Sequence, residues 1–319
     1  MCYAAGWGFS GAMTTALVTH HDFLGHVTPP GHPEQVARMD AVHRALGDMD
    51  LLRVKAPMAA EADLLRVHPR AYLDRIAASV PETGTRALDA DTHVSPGSLA
   101  AAWRGAGAVL RAVDMVLTGE VGNAFAAVRP PGHHAETEMP MGFCLFGNVA
   151  AAAKHALEHH GLSRVAVVDF DVHHGNGTQD LLWDERRALF ISSHQMPLWP
   201  GTGRSDETGA FDNVMNLPLP TDSDGAHMRR VYEAEVFPRL RAFAPELILL
   251  SAGFDAHRDD PLAQLNWDEA DFAWITEKFC AIARETCGGR VVSALEGGYD
   301  LEALGPSVAA HVTVLMENA

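Results

Sequence analysis

The sequence predicts an α/β fold: a single domain on a central, mostly parallel sheet with helices on both faces. Three observations predict it. In the second half, short apolar, β-rich runs alternate with amphipathic segments, the pattern of strand–helix–strand units. No repeat, low-complexity tract or linker-like stretch interrupts the 319 residues, a length one large domain accommodates. Clusters of titratable residues and glycines follow directly after the apolar runs, and ligands of open α/β sheets bind at the carboxyl ends of strands.

The elements follow in chain order. Residues 1–13 (MCYAAGWGFSGAM) lack the basic region and long apolar core of a secretory signal and read as a flexible extension, with Met13 as an alternative start; 14–319 is the domain. A short strand is expected over 16–20, a helix over 33–46 (PEQVARMDAVHRAL) and a long Ala-rich helix over 98–118. The second half gives strands over 124–128 (AFAAV), 164–169 (RVAVVD), 188–192 (ALFIS), 246–251 (ELILLS) and 290–295 (RVVSAL). Helices are expected over 148–159, 224–243, 268–286 and 301–316.

Acidic residues number 41 against 24 basic ones, a formal charge of −17 that repels phosphate backbones and anionic headgroups. Nucleic acid and membrane surfaces are thus not expected partners, and no run approaches the roughly 18 apolar residues of a membrane span. The same field weakly favours cationic ligands such as polyamines or lysine-rich peptides, although excess acid is also an ordinary solubility device. Four cysteines without a CxxC pair point to reduced thiols and a cytoplasmic setting. A homo-oligomer is compatible with all of this.

Asp169, Asp171 and His173 are spaced by two, so in an extended chain they project to one side, away from Phe170, Val172 and His174. Carboxylates and imidazole at a strand end need a partner, and a divalent cation supplies one. Asp255, after another strand, is the natural third ligand. Two carboxylates and one imidazole leave a position open, as in a catalytic zinc site, and Fe(II) or Mn(II) also suits such donors. His133 and His134 follow the stiff Pro130–Pro131–Gly132 lead-in. Of the other paired histidines, His159 and His160 close a helix just before Gly161, where imidazoles complement the helix dipole. Tyr299, on the Glu296–Gly297–Gly298 turn, is a candidate donor to a developing oxyanion beside an open metal position.

Taken together, RPPGHHAE (129–136), GFCLFGN (142–148), VDFDVHHGNGTQ (168–179), SSHQ…WPGTG (192–203), SAGFDAHRDDPLAQL (251–265) and LEGGYD (295–300) resemble the histone deacetylase and acetylpolyamine amidohydrolase superfamily, in its class II and bacterial branch. GHPEQVARM (31–39) and LDADTHVSPGS (88–98) extend the resemblance into the first half. It implies an arginase/deacetylase-like fold, a deacetylase-like catalytic domain and hydrolysis of an acylated amine.

Residue by residue, the resemblance implies zinc ligands Asp171, His173 and Asp255. His134 becomes the general base and acid, His133 its electrostatic partner, with Asp169 and Asn176 behind them. Tyr299 polarises the carbonyl. Gly142, Phe143, Trp199 and Leu262 form the acyl tunnel, and Asp91, or else Asp89, grips substrate backbone at the rim. Arg38 lines an internal acetate channel. A structural K⁺ is implied at Asp169, Asp171, His173, Ser192 and Ser193, partly through backbone carbonyls. Two departures stand out: Gly147 replaces a frequent Asn, implying a looser turn into the next helix, and Trp199 is bulkier than the frequent Phe, implying a narrowed tunnel.

The expected reaction is therefore zinc-dependent hydrolysis of an acylated amine, with protein acetyl-lysine, an acetylpolyamine or a small xenobiotic amide as substrate. The rival readings are a two-metal ureohydrolase, for which spare Asp and His residues exist, and a non-catalytic acyl-lysine binding module, which would have no need of Tyr299 beside all three ligands.

Overall fold

A computed structural model describes residues 14–319; the extension expected over 1–13, Met13 included, lies outside the described residues. The strands are β1 Thr15–Thr19, β2 Leu52–Lys55, β3 Arg86–Ala87, β4 His93–Val94, β5 Asn123–Ala126, β6 Val165–Asp169, β7 Ala188–Gln195, β8 Val214–Leu219, β9 Leu247–Ala252 and β10 Val291–Leu295. Eight of them form one sheet in the order β2-β1-β5-β10-β9-β6-β7-β8, with every pair parallel. The remaining two, β3 and β4, make a small antiparallel hairpin around Asp89 and Asp91.

Strands β6 and β9 are buried along their whole length, which is why they read as continuous apolar runs. Helix Ser98–Leu117 packs on helix Asn148–Glu158, and helix Leu301–Glu317 packs on helices Glu269–Cys287 and Ala37–Ala45, covering the sheet. Asp268 and Asp271 form a capping box that starts the Glu269–Cys287 helix, and Gly288 ends it at φ 64°. Asp300 caps the last helix by accepting from the N–H groups of Glu302 and Ala303.

Three expectations need correction. The helix predicted from residue 33 begins at Ala37, because Glu34 is drawn inward as a fully buried partner of Arg129. The helix predicted over 224–243 is interrupted by a π turn at Tyr232–Val236, just before Pro238, which has no N–H to continue the ladder. The turn into the Asn148 helix is tight, not loose: the Gly147 N–H donates to Nε2 of His68 at 2.9 Å, and a Cβ there would fall 2.3 Å from Cδ1 of Leu181.

The register sets the site. Asp169 pairs with Ser251 and Ser192, and Leu295 pairs with Ala252, so the carboxyl ends of β6, β7, β9 and β10 lie side by side. The four motif-bearing segments that follow β5, β6, β9 and β10 thus leave the sheet on one edge.

Candidate active site

The segment after β5 is pinned from across the site. Glu296, at the end of β10, accepts the Gly132 N–H at 2.7 Å and the His133 N–H at 3.2 Å. This holds the imidazoles of His133 and His134 over the end of β6, with ring centroids 3.8 Å apart. Nδ1–H of His133 donates to Oδ2 of Asp169 at 2.9 Å, and Nδ1–H of His134 donates to Oδ1 of Asn176 at 2.7 Å. The bond partners differ in charge, and the rings differ accordingly. Burial opposes a charge on His133, but the Asp171 and Asp169 carboxylates override it and hold its pKa well above the usual range. Burial, with His133 and His173 adding repulsion, pushes His134 well below that range. His134 is left as a neutral base beside a cationic neighbour.

The two-residue alternation expected for Asp169, Asp171 and His173 fails at its first member. Strand β6 ends at Asp169, and the chain then bends, so Asp169 turns back to His133 while Asp171 and His173 turn toward Asp255. Nδ1 of His173 lies 3.2 Å from Oδ1 of Asp171 and 3.1 Å from Oδ2 of Asp255. One ligand atom from each of these three buried residues falls within 4.8 Å of the others.

This donor set fits a divalent metal. Burial and the Asp171 charge push the Asp255 carboxyl up to about 7, as expected of two buried carboxylates that face one another. Their other oxygens are oriented by backbone: Asp171 accepts from the Gly297 N–H at 2.8 Å and Asp255 from the Val172 N–H at 2.9 Å. A Cβ at Gly297 would fall 2.3 Å from Oδ2 of Asp255 and 2.6 Å from Oδ2 of Asp171, so only glycine leaves this cradle open.

The spare residues that a two-metal site would need are committed elsewhere. His174 bonds Thr202 and Gln179, and Asp260 accepts from the N–H groups of Tyr299 and Leu262 at 2.7 and 3.0 Å.

A cavity of 220 Å³ opens over this cluster, and His134, His173 and Tyr299 all reach it. Gly142, Phe143, Trp199, Leu262 and Asp91 line the same space together with Leu198. A Cβ at Gly142, whose φ is 54°, would fall 2.4 Å from the His134 ring and 2.6 Å from that of Trp199. Asp89 does not line the cavity; it accepts the N–H groups of Asp91 and Thr92 and shapes the hairpin that presents Asp91. Tyr299 is buried, which raises its phenol well above the usual range against the lowering effect of Arg38, so it remains a donor at neutral pH.

Arg38 is likewise absent from the cavity wall. Its guanidinium lies 4.9 Å from the Tyr299 ring centroid, with Nε donating to the Gly298 carbonyl at 2.6 Å and an Nη to that of Glu296 at 2.5 Å. Ser192 and Ser193 are near the end of β7, their hydroxyls engaged with His194 at 3.0 Å and Tyr232 at 2.5 Å.

Sequence reasoning missed Glu296 and Asp260 as site residues. Both belong to quoted motifs, and each acts by accepting backbone N–H groups from segments that carry His133 or Tyr299.

Comparisons with known proteins find relatives that match most of this chain. Residues 32–315 match the family described as Histone deacetylase domain. The chain is 38% identical to Histone deacetylase 14, chloroplastic, of Arabidopsis thaliana over 92% of this chain and 74% of that one. It is 39% identical to the Histone deacetylase-like amidohydrolase of Pseudomonas aeruginosa, over 86% of this chain and 75% of the relative. The crystal structure of the HDA15 HD domain superposes with a TM-score of 0.87 at 32% identity, covering 94% of this chain and 90% of that one.

Proposed function

Because the chain belongs to the histone deacetylase family and is a hydrolase of that family, we propose that it removes an acyl group, acetyl foremost, from an acylated primary amine in a zinc-dependent reaction. The observation that carries this reading is that the imidazoles of His134 and His173 and the phenol of Tyr299 line one 220 Å³ cavity, with His173 part of a three-residue cluster able to hold a metal.

Asp171, His173 and Asp255 would hold the zinc. When bound there, zinc supplies a Lewis acid and lowers the pKa of a coordinated water toward about 7. His134 takes the proton of the attacking water on Nε2, since its Nδ1–H is committed to Asn176, and returns it to the departing amine. His133, paired with Asp169, supplies positive charge as negative charge develops on the substrate. The Tyr299 hydroxyl donates to the oxyanion. Phe143 and Trp199 flank the acyl chain, and Asp91 offers its carboxylate to a donor on the substrate backbone.

The apolar Leu262 in the cavity wall suits the neutral stem of an acetyl-lysine-like amide, and Asp91 is the one carboxylate among the lining residues. We assign a structural K⁺ to Asp169, Asp171, His173, Ser192 and Ser193. The buried free thiols of Cys144, Cys280 and Cys287 support a cytoplasmic setting.

The test ranks kcat/KM over acetyl-lysine peptides, acetylated spermidine and putrescine, and simple anilides. Acetyl-lysine peptides are expected to lead, and Asp255→Ala is expected to lose all turnover together with one equivalent of zinc. An Asp255→Ala enzyme with wild-type metal content and turnover overturns the ligand assignment, and a preference for acetylpolyamines overturns the substrate assignment.

A further inference from the structure

His159 and His160, read from the sequence as complements to a helix dipole, close on a third imidazole. His155 lies one turn earlier on helix Asn148–Glu158, on the face that it shares with His159. One nitrogen from each of the three rings falls within 4.8 Å of the other two. None of the three lines the catalytic cavity.

Asp114, on the neighbouring helix Ser98–Leu117, bonds two of the three rings. Its Oδ1 accepts from Nε2 of His155 at 2.8 Å and from Nε2 of His160 at 2.7 Å. At His155 the other ring nitrogen is left over: the residue is 6% exposed and its Nδ1 has no hydrogen-bond partner, with Oδ1 of Asp63 at 3.4 Å.

A metal on the Nε2 side would give this nitrogen a partner: with Nε2 coordinated, the ring proton sits on Nδ1, where Asp63 accepts it, the carboxylate–histidine–metal arrangement that orients ligating imidazoles. Asp63 lies beside Arg66, whose Nε is 3.5 Å from its Oδ1.

We propose that His155, His159, His160 and Asp114 form a second metal site, for a zinc-class divalent ion in a tetrahedral three-nitrogen, one-oxygen set. Four protein ligands fill the coordination sphere, so the ion would be structural, tying helix Asn148–Glu158 to helix Ser98–Leu117. The Asp114–imidazole separations would widen to about 3.3 Å, given zinc–ligand distances near 2.0 Å. The exposed side of the helix end, where His159 lies, provides the freedom for this adjustment.

The experiment strips the full-length protein with a chelator, reloads it with Co²⁺ or Zn²⁺ and counts bound metal. Wild type is expected to hold one equivalent more than His159→Ala/His160→Ala and one more than Asp114→Asn, with a corresponding loss of tetrahedral Co²⁺ absorption. Added Zn²⁺ should raise the Tm of wild type more than that of either variant, while turnover stays the same in all three. Equal metal counts in the three proteins overturn the site, as does an equal Zn²⁺-induced rise in Tm. All three proteins keep Asp171, His173 and Asp255, so the difference between them does not depend on whether that cluster binds zinc.

Discussion

The carboxamide oxygen of Asn176 accepts the Nδ1–H of His134 at 2.7 Å, whereas the adjacent His133 donates to a carboxylate. A neutral partner fixes the His134 tautomer without adding charge, and burial then holds the ring below the usual imidazole range. Asn176→Asp would place an anion there and raise the His134 pKa. The base works unprotonated, so the acidic limb of the kcat/KM profile should move to higher pH, by about one unit. An unshifted limb would remove His134 from the role of general base.

The strands around the site were legible because they are buried on both faces: β6 (VAVVD) and β9 (LILLSA) stand out as apolar runs. Edge strands were not. Three of the four β2 residues are exposed, and Asn216 and Pro218 break the apolar run of β8, a proline that only an edge tolerates. The same logic divides the site. His133, Asp171, His173 and Tyr299 lie in local motifs after apolar runs. Glu296 meets Gly132 across 164 residues, and Asp260 meets the Tyr299 N–H across 39, pairings that no local spacing announces. His155 escaped notice because its partner Asp114 belongs to a different helix.

Gly177 lets the Asn176 helix approach the segment that carries His134. A Cβ at this position would lie 2.4 Å from the Ala135 carbonyl oxygen and 2.5 Å from the His134 carbonyl carbon, both backbone atoms that cannot swing aside. Gly177→Ala should therefore cost about 1–3 kcal/mol of stability, read from denaturant midpoints, and lower kcat by displacing His134. Wild-type stability and turnover in this variant would show that the helix has slack.

Acid should destabilise the fold in part through His311, which does not line the cavity. Its ring lies between the hydroxyls of Thr276 at 2.7 Å and Ser293 at 2.9 Å, and burial lowers its pKa to about 3. The unfolded chain binds this proton near pH 6.5 and the folded chain only near 3. The contribution is thus whole above about pH 6.5 and is lost as pH falls toward 3, at up to about 1.4 kcal/mol per pH unit. His311→Gln keeps a donor and an acceptor but cannot titrate, so its stability should fall less steeply between pH 6 and 4. Parallel slopes for the two proteins would mean that His311 is protonated in the folded state.

Tyr299 is held by three contacts that leave its hydroxyl free for substrate. Asp260 accepts its backbone N–H at 2.7 Å, Arg38 lies 4.9 Å from its ring centroid, and Phe143 meets the ring edge-on at 5.6 Å between centroids. A phenol placed in this way acts on charge that exists only in the transition state, so Tyr299→Phe should lower kcat by about 10²–10³-fold while KM changes little. The ring survives the substitution, so its packing against Arg38 and Phe143 should persist and Tm should stay near wild type. Metal content serves as the control, because Tyr299 is not a proposed ligand. Asp260→Asn keeps an acceptor for the Tyr299 N–H and should retain far more activity than Tyr299→Phe. If Tyr299→Phe matched wild type in kcat on a good amide substrate, the oxyanion would be stabilised without the phenol, and the Gly297–Gly298 turn would serve only to keep the cradle of Asp171 and Asp255 open.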